Sequence, residues 1–336
     1  MAFKYTNKHE IPLPLAVFLM RDKYGYDGRP NVISATKLIR PLRELTLIRQ
    51  NPEKSKTVDV SELIALRMGS AIHSACEEAW TDRNNVVKAL ELFGAADSVI
   101  DKLRLNPENP MPGETPVYIE QRTEKEINDF IITGAYDLIL DGEVNDYKSA
   151  SVWSFINGSS IDDYIKQGSI YKWLNPEKIT SDHVHIHYIF TDWSRNGLRK
   201  HSPKPHYKEI YPAIKVASRR YPLWSIEETE KWIIDRLEQF KSICDLSQSE
   251  LPECTNEELW VKEHESVYKY YKNPEKTKRS SGNFPTMDEA LKKQASDGSV
   301  GIIKHVQGPV RRCNYCSAEE ICHQAAAMLA DGRIIL

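Results

Sequence analysis

Between residues 58 and 80 apolar side chains return at Leu63, Leu66, Ile72 and Ala75, the three-to-four spacing of one helix face, with Gly69 as a point where that helix is expected to kink. A second helix is predicted over 85–103, and an earlier one from Ser34, whose hydroxyl suits the N-cap. Past a proline-rich stretch at 106–116 the period changes to two. Residues 117–123, 129–140 and 143–149 alternate or carry β-branched side chains, and Asp141-Gly142 between the last two is a tight-hairpin signal. A helix over 161–174, a strand over 183–191 and a long helix opened by the capping-box sequence Ser225-Ile226-Glu227-Glu228 follow. Helices, then a meander, then helix, strand and helix predict an α/β fold with a mixed central sheet flanked by helices.

The 336 residues suffice for one elaborated domain with attachments. The expected division is an N-terminal helical segment over 1–57, a core over 58–245 and a C-terminal extension over 246–336, rich in Lys, Tyr, Glu and Ser, with short elements near 255–260 and 286–295. With 40% hydrophobic residues, 28% charged residues and 15 glycines, fibrous and disordered classes are excluded. There is no internal repeat or low-complexity tract. A formal net charge of -3 argues against a chain that coats nucleic acid indiscriminately, although positive charge gathered on one face is compatible with it. No apolar run approaches the roughly 18 residues of a membrane span, and Met1-Ala2-Phe3-Lys4-Tyr5 does not begin a signal peptide, so a cytoplasmic protein without membrane partners is expected, in the host cytoplasm if phage-encoded.

Candidate chemistry sits on the predicted hairpin. Asp137 lies in Thr133-Gly134-Ala135-Tyr136-Asp137 on one strand, and Asp146-Tyr147-Lys148 on the next. Strand side chains alternate, so Asp146 and Lys148 share a face. Two carboxylates, with the Tyr147 carbonyl as a further oxygen, could hold a hard divalent cation such as Mg2+ or Mn2+ while the ammonium stays beside an activated water. A lone Asp-x-Lys is common on solvated strand faces. Two further signals accompany it: Gln167 and Tyr171, one helical turn apart, and His73 in Gly69-Ser70-Ala71-Ile72-His73.

Taken in order, G-x-x-x-H, G-x-x-D, D-x-K and Q-x-x-x-Y resemble the motif series of RecB-like nucleases of the PD-(D/E)XK superfamily, over roughly residues 69–171. The resemblance implies a restriction-endonuclease-like core. It implies that His73, Asp137 and Asp146 bind the metal, that Lys148 orients or activates the water, and that Gln167 and Tyr171 position the DNA strand, with Glu120 as an accessory acid. Asp146 stands where Glu is more frequent. The implied activity is metal-dependent hydrolysis of DNA, as an exonuclease in recombination, repair or phage DNA processing. A single-strand endonuclease, a non-catalytic DNA-binding or assembly subunit, and a metal-binding structural protein are the alternatives. No helicase P-loop is present, so unwinding would come from a helicase or recombination partner.

Six cysteines stand at 76, 244, 254, 313, 316 and 322. Cys313-x2-Cys316-x5-Cys322 is a spacing that a loop entering a helix can wrap round one thiolate-bound metal. It resembles the C-terminal part of the iron-sulfur staple of AddB and of CRISPR-associated RecB-like nucleases. That resemblance implies a 4Fe-4S cluster, with zinc as the alternative, in a metal-stapled C-terminal extension. The usual early cysteine is missing. Cys254, in a loop-like segment, is favoured over Cys76 as the fourth ligand. Tyr268, Tyr270 and Tyr271 interleave with Lys269, Lys272, Lys276, Lys278 and Arg279, either a basic strip with stacking rings or a solvated strand and loop. His183, His185 and His187 share a strand face and receive no role.

Overall fold

The computed structural model describes residues 3–21, 27–52, 56–158, 160–201, 211–262 and 265–334. The chain opens with β1 (Phe3–Thr6), α1 (Leu13–Met20), β2 (Val32–Ser34), α2 (Ala35–Leu38), α3 (Leu42–Gln50) and β3 (Lys56–Asp59). Then come α4 (Ile64–Glu78), α5 (Arg83–Phe93), α6 (Asp97–Ile100), β4 (Leu103–Leu105), β5 (Thr115–Ile127), β6 (Phe130–Leu140) and β7 (Glu143–Ala150). Next are α7 (Val152–Asn157), α8 (Ile161–Leu174), β8 (His183–Phe190), α9 (Arg195–His201), β9 (Val216–Pro222) and α10 (Ile226–Ile243). The last elements are β10 (Val267–Tyr271), β11 (Gly282–Phe284), α11 (Met287–Ser296), β12 (Ile302–Val306) and α12 (His323–Ala330).

Two compact units result. The larger comprises Lys4–Ile39 and Thr57–Glu238; the smaller comprises Met1–Phe3, Arg40–Lys56 and Gln239–Leu336. The smaller is therefore discontinuous, and α3 joins it from a stretch that the sequence places in the N-terminal segment.

The larger unit is built on a mixed sheet in the order β4-β5-β6-β7-β8-β9, with β2 added alongside β6, and helices flank it. The β5-β6 and β6-β7 connections are tight hairpins. Asn128 and Asp129 have φ of 48° and 66°, and Asp141 and Gly142 have 50° and 77°, two left-handed residues in succession at each turn. The second of these turns was legible in the sequence, the first was not. Ser34 caps α2 by accepting from the Lys37 N–H, and Ser225 and Glu228 form the expected reciprocal cap of α10. The helix expected over 85–103 instead stops at Phe93, because Gly94 takes a left-handed φ of 85° and closes the last turn. The chain then forms α6 and enters β4, which runs parallel to β5.

No kink occurs at Gly69. α4 runs unbroken, and a Cβ there would lie 2.9 Å from Ser149 Oγ, so this glycine lets the helix press against β7. Gly134 does the same on β6, where a Cβ would meet Leu174 Cδ1 at 2.8 Å and Tyr171 Cδ1 at 2.9 Å. Gly134→Ala is expected to cost about 1–3 kcal/mol by overpacking. It should lower Tm by several degrees in a calorimetric scan, at about 2–4 °C per kcal/mol for a unit of this size. An unchanged Tm would mean that α8 does not bear on β6 as closely as this.

In the smaller unit, β11-β10-β12 form an antiparallel sheet that packs with α11. A separate apolar cluster gathers Leu259, Val310, Cys313, Ala325, Met328 and Ile334. Another joins Leu47 of α3 to Leu251 and Ala318. Among the described residues no helix is long and apolar enough to cross a membrane.

Candidate active site and thiol cavity

The pairing of β6 changes along its length. Residues Ile131–Thr133 pair with β2, and Leu138–Leu140 pair with β7. Over Gly134–Asp137 neither of these ladders is made, so the sheet opens between β6 and β7 where Asp137 and Asp146 face each other. The Tyr147 N–H crosses this gap and donates to Asp137 Oδ2 at 2.9 Å. In extended backbone the C=O of a residue points to the same side as its N–H, so the Tyr147 carbonyl faces the gap too. On β5, Ile119 pairs with Leu138 and Gln121 with Tyr136, a register that puts Glu120 opposite Asp137.

Three further elements supply the rest. The close approach of α4 at Gly69 brings His73, one turn later, to the gap, with Nδ1 3.3 Å from Asp137 Oδ2. β7 carries Asp146, whose side chain is 5% exposed, with Lys148 Nζ 2.5 Å from its Oδ2. That contact is an ion pair without hydrogen-bond geometry, and Asp146 Oδ2 otherwise has no hydrogen-bond partner. From α8, Gln167 Oε1 accepts from Lys148 Nζ at 3.4 Å, while Gln167 Nε2 donates to Tyr171 Oη at 2.6 Å. Tyr171 is 5% exposed, its ring lying against Gly134. Tyr164, one turn before Gln167, presents its ring 5.5 Å from Lys148 Nζ. Sequence reasoning missed Tyr164, although its i, i+3 spacing to Gln167 was there to be read.

Electrostatics separate the two carboxyls. Burial raises the pKa of both, but on Asp137 it is outweighed by the His73 imidazole, Lys148 and the Tyr147 N–H, which hold the group below the ordinary carboxylate range. For Asp146 burial wins over the attraction of Lys148, and its pKa lies above that range. His73 is pulled down by burial and more than restored by Asp137, ending above the ordinary histidine value. Burial also depresses Lys148, yet the two carboxylates raise it, so it is an ammonium at neutral pH. The site thus holds a firmly ionised carboxylate beside a reluctant one, the latter paired with the half-buried Lys148 ammonium.

Among the described residues no three His, Cys, Asp or Glu side chains close round one metal ion as they stand. The donor chemistry nevertheless suits a hard cation: Asp137, Asp146 with its hydrogen-bond-free Oδ2, the Tyr147 carbonyl and the His73 ring all front one gap. His185 and His187 lie elsewhere on β8. His187 is held between Asn145 Oδ1 at 2.9 Å and Ser218 Oγ at 2.7 Å, and His185 Nδ1 is 3.6 Å from Glu143.

In the smaller unit, Cys254, Cys313, Cys316 and Cys322 line one small cavity of about 30 Å3, together with Arg43, Glu44 and Leu47. Cys76 sits instead on α4 in the larger unit. Burial pushes the Cys254 and Cys316 thiols up to about 12 and Cys313 up to about 11, so these are neutral thiols at physiological pH. Arg43, itself buried, donates from Nε to Cys322 Sγ at 3.3 Å and from Nη1 to the Leu251 carbonyl at 3.0 Å. Gln324 clamps Cys254 from both sides, accepting from its N–H at 2.8 Å and donating to its carbonyl at 3.0 Å. Neither Arg43 nor Gln324 was singled out from the sequence, where nothing links either to the cysteines.

Of the rings in the basic strip, Tyr270 and Tyr271 are buried, at 0% and 7% exposure, and Tyr268 stacks on His305 with centroids 4.6 Å apart. Only Tyr268 of the three retains a partly open ring.

No protein-family model matches the chain, and no curated protein matches it. Among solved structures, SSO0001 is similar at 15% identity and TM-score 0.39, over 67% of this chain and 84% of that one. An alkaline exonuclease, LHK-Exo from Laribacter hongkongensis, is similar at 10% identity and TM-score 0.34, over 65% and 91%. A phage-related exonuclease from Haemophilus somnus 129PT is similar at 16% identity and TM-score 0.26, over 52% and 87%.

Proposed function

We propose that this chain is a divalent-metal-dependent DNA nuclease of the RecB-like PD-(D/E)XK kind, acting as an exonuclease in recombination, repair or phage DNA processing. The observation that carries the reading is the opened β6-β7 gap, where Asp137, Asp146, Lys148 and His73 converge although no single motif predicts that convergence. In this reading Asp137, Asp146, His73 and the Tyr147 carbonyl hold Mg2+ or Mn2+, and Glu120 adds negative charge nearby. The bound cation would neutralise the charge that develops on the phosphate. Lys148 orients the attacking water, and Gln167 with Tyr171 holds Lys148 in place and positions the strand. The four thiols that share one cavity, Cys254 among them, hold a 4Fe-4S cluster, with zinc as the alternative. DNA is the partner, supplied by a helicase or recombination protein.

The test is cleavage of end-labelled linear and closed circular DNA, single- and double-stranded, by anaerobically purified protein. Linear DNA should be degraded from its ends with Mg2+ or Mn2+, closed circles should survive, and EDTA should abolish all cleavage. Cutting of circular single strands would instead identify an endonuclease. No cleavage by protein with a full thiol site would point to a binding subunit.

A further inference from the structure

We infer that the β10–β11 hairpin of the smaller unit, with Lys304 of β12, is a second DNA-binding surface that grips the phosphate backbone irrespective of sequence. The inference rests on the reading that DNA is the substrate, and adds a site outside the β6-β7 gap. Lys269 and Lys304 are directly paired across antiparallel strands. Side chains so paired have Cβ atoms about 4.5–5.5 Å apart, and like charges placed there repel. Neither ammonium has an acidic partner among the described residues, and Lys304 Nζ lies only over the Tyr271 ring, 6.0 Å from its centroid. The loop that joins β10 to β11 adds Lys272, Lys276, Lys278 and Arg279, all exposed, against the single acid Glu275. Lys272 is 3.9 Å from Asp297; the other three have no ion pair among the described residues.

A folded sheet that sets two lysines opposite each other and then extends a cationic loop bears a cost that an anion would relieve. Because Tyr270 and Tyr271 are buried in the sheet, base stacking is not what this surface offers, and cationic contact to phosphates is.

The measurement is binding of full-length protein to a short fluorescent duplex in EDTA, titrated over a range of salt concentrations. Each phosphate contact contributes about 0.9 to the slope of log K against log salt for duplex DNA. The variant Lys276→Ser/Lys278→Ser/Arg279→Ser is expected to bind at least about tenfold more weakly near 0.1 M salt, with a slope shallower by roughly 2–3. Lys269→Arg/Lys304→Arg, which keeps both charges, should bind as the native chain does. Unchanged affinity and slope in the serine variant would overturn the inference, and so would weaker binding at unchanged slope, since the loss would then not come from phosphate contacts. Hydrolysis of bis(p-nitrophenyl) phosphate, which has no polynucleotide backbone to grip, should be the same in native and serine-variant protein. If neither cleaves anything, the nuclease reading falls while the binding result stands.

Discussion

On the proposed nuclease reading, Lys148→Ala is expected to lower metal-dependent DNA cleavage by about 10²–10⁴-fold, the size of effect that a positioned proton-handling or water-orienting group supplies. Two losses combine. The water loses its ammonium, and Asp146 loses the cation 2.5 Å from its buried Oδ2. An uncompensated buried charge costs roughly 3–5 kcal/mol, or else the group takes up a proton, and a protonated Asp146 is no metal ligand. The second route has a signature in stability. The folded pKa of Asp146 already lies above its unfolded value, and without Lys148 it rises further. A carboxyl of that kind is no burden when protonated at low pH and becomes one as pH rises through the unfolded value. The Tm deficit of the variant should therefore be larger at about pH 8 than at about pH 4. Cleavage kinetics and Tm measured on one preparation check both parts. Retained cleavage would remove Lys148 from the mechanism, and a pH-independent Tm deficit would remove Asp146 from the explanation.

If the four thiols hold the proposed cluster, Cys254→Ser is expected to remove iron and acid-labile sulfide from anaerobically purified protein and Cys76→Ser to leave both unchanged, because Cys254 and not Cys76 lines the cavity with Cys313, Cys316 and Cys322. Binding energy at a thiolate site is folding energy, so the loss reaches beyond the metal. Two apolar clusters meet these cysteines, one through Leu259, Val310 and Met328 and the other through Leu47, Leu251 and Ala318. The loss is therefore expected to lower Tm. Absorption in the visible, iron and zinc content and calorimetry on the two variants decide the matter. Unchanged metal in Cys254→Ser, or its loss in Cys76→Ser, would reassign the fourth ligand, and zinc without sulfide would identify the alternative metal.

Much of this was visible in the chain before folding, and what was not has physical reasons. The triad residues could be named because strand alternation puts Asp146 and Lys148 on one face and the Asp141-Gly142 turn puts Asp137 opposite. That the sheet opens there could not be read, because it depends on β2 arriving beside β6 from a hundred residues upstream. Gly69 and Gly134 stood in the motifs, yet their use is a close approach by partners distant in sequence, Ser149 in one case and Tyr171 and Leu174 in the other. β9 escaped notice because Arg219 and Arg220 break its alternation, and β11 and β12 because strands so short carry too few alternations to show, whereas a strand at β10 was one of the two readings of the Tyr-Lys strip. The expected helix over 85–103 failed at one residue, Gly94, whose lack of a Cβ permits the left-handed turn that ends it.

The smaller unit takes α3, within Arg40–Lys56, from near the start of the chain and most of the rest from beyond residue 238, with the larger segment of the other unit, Thr57–Glu238, encoded between. On a ribosome, which adds about 5–20 residues per second, the stretch Thr57–Glu238 is complete while α3 still waits for its partners. Arg43 is made long before Cys322 exists to accept its hydrogen bond, so for that interval a buried cation of the finished protein has to stay in water. Synthesis thus imposes an order on assembly: the unit with the carboxylates can fold first, and the thiol cavity closes only after Cys322, Gln324 and Ala325 have been made.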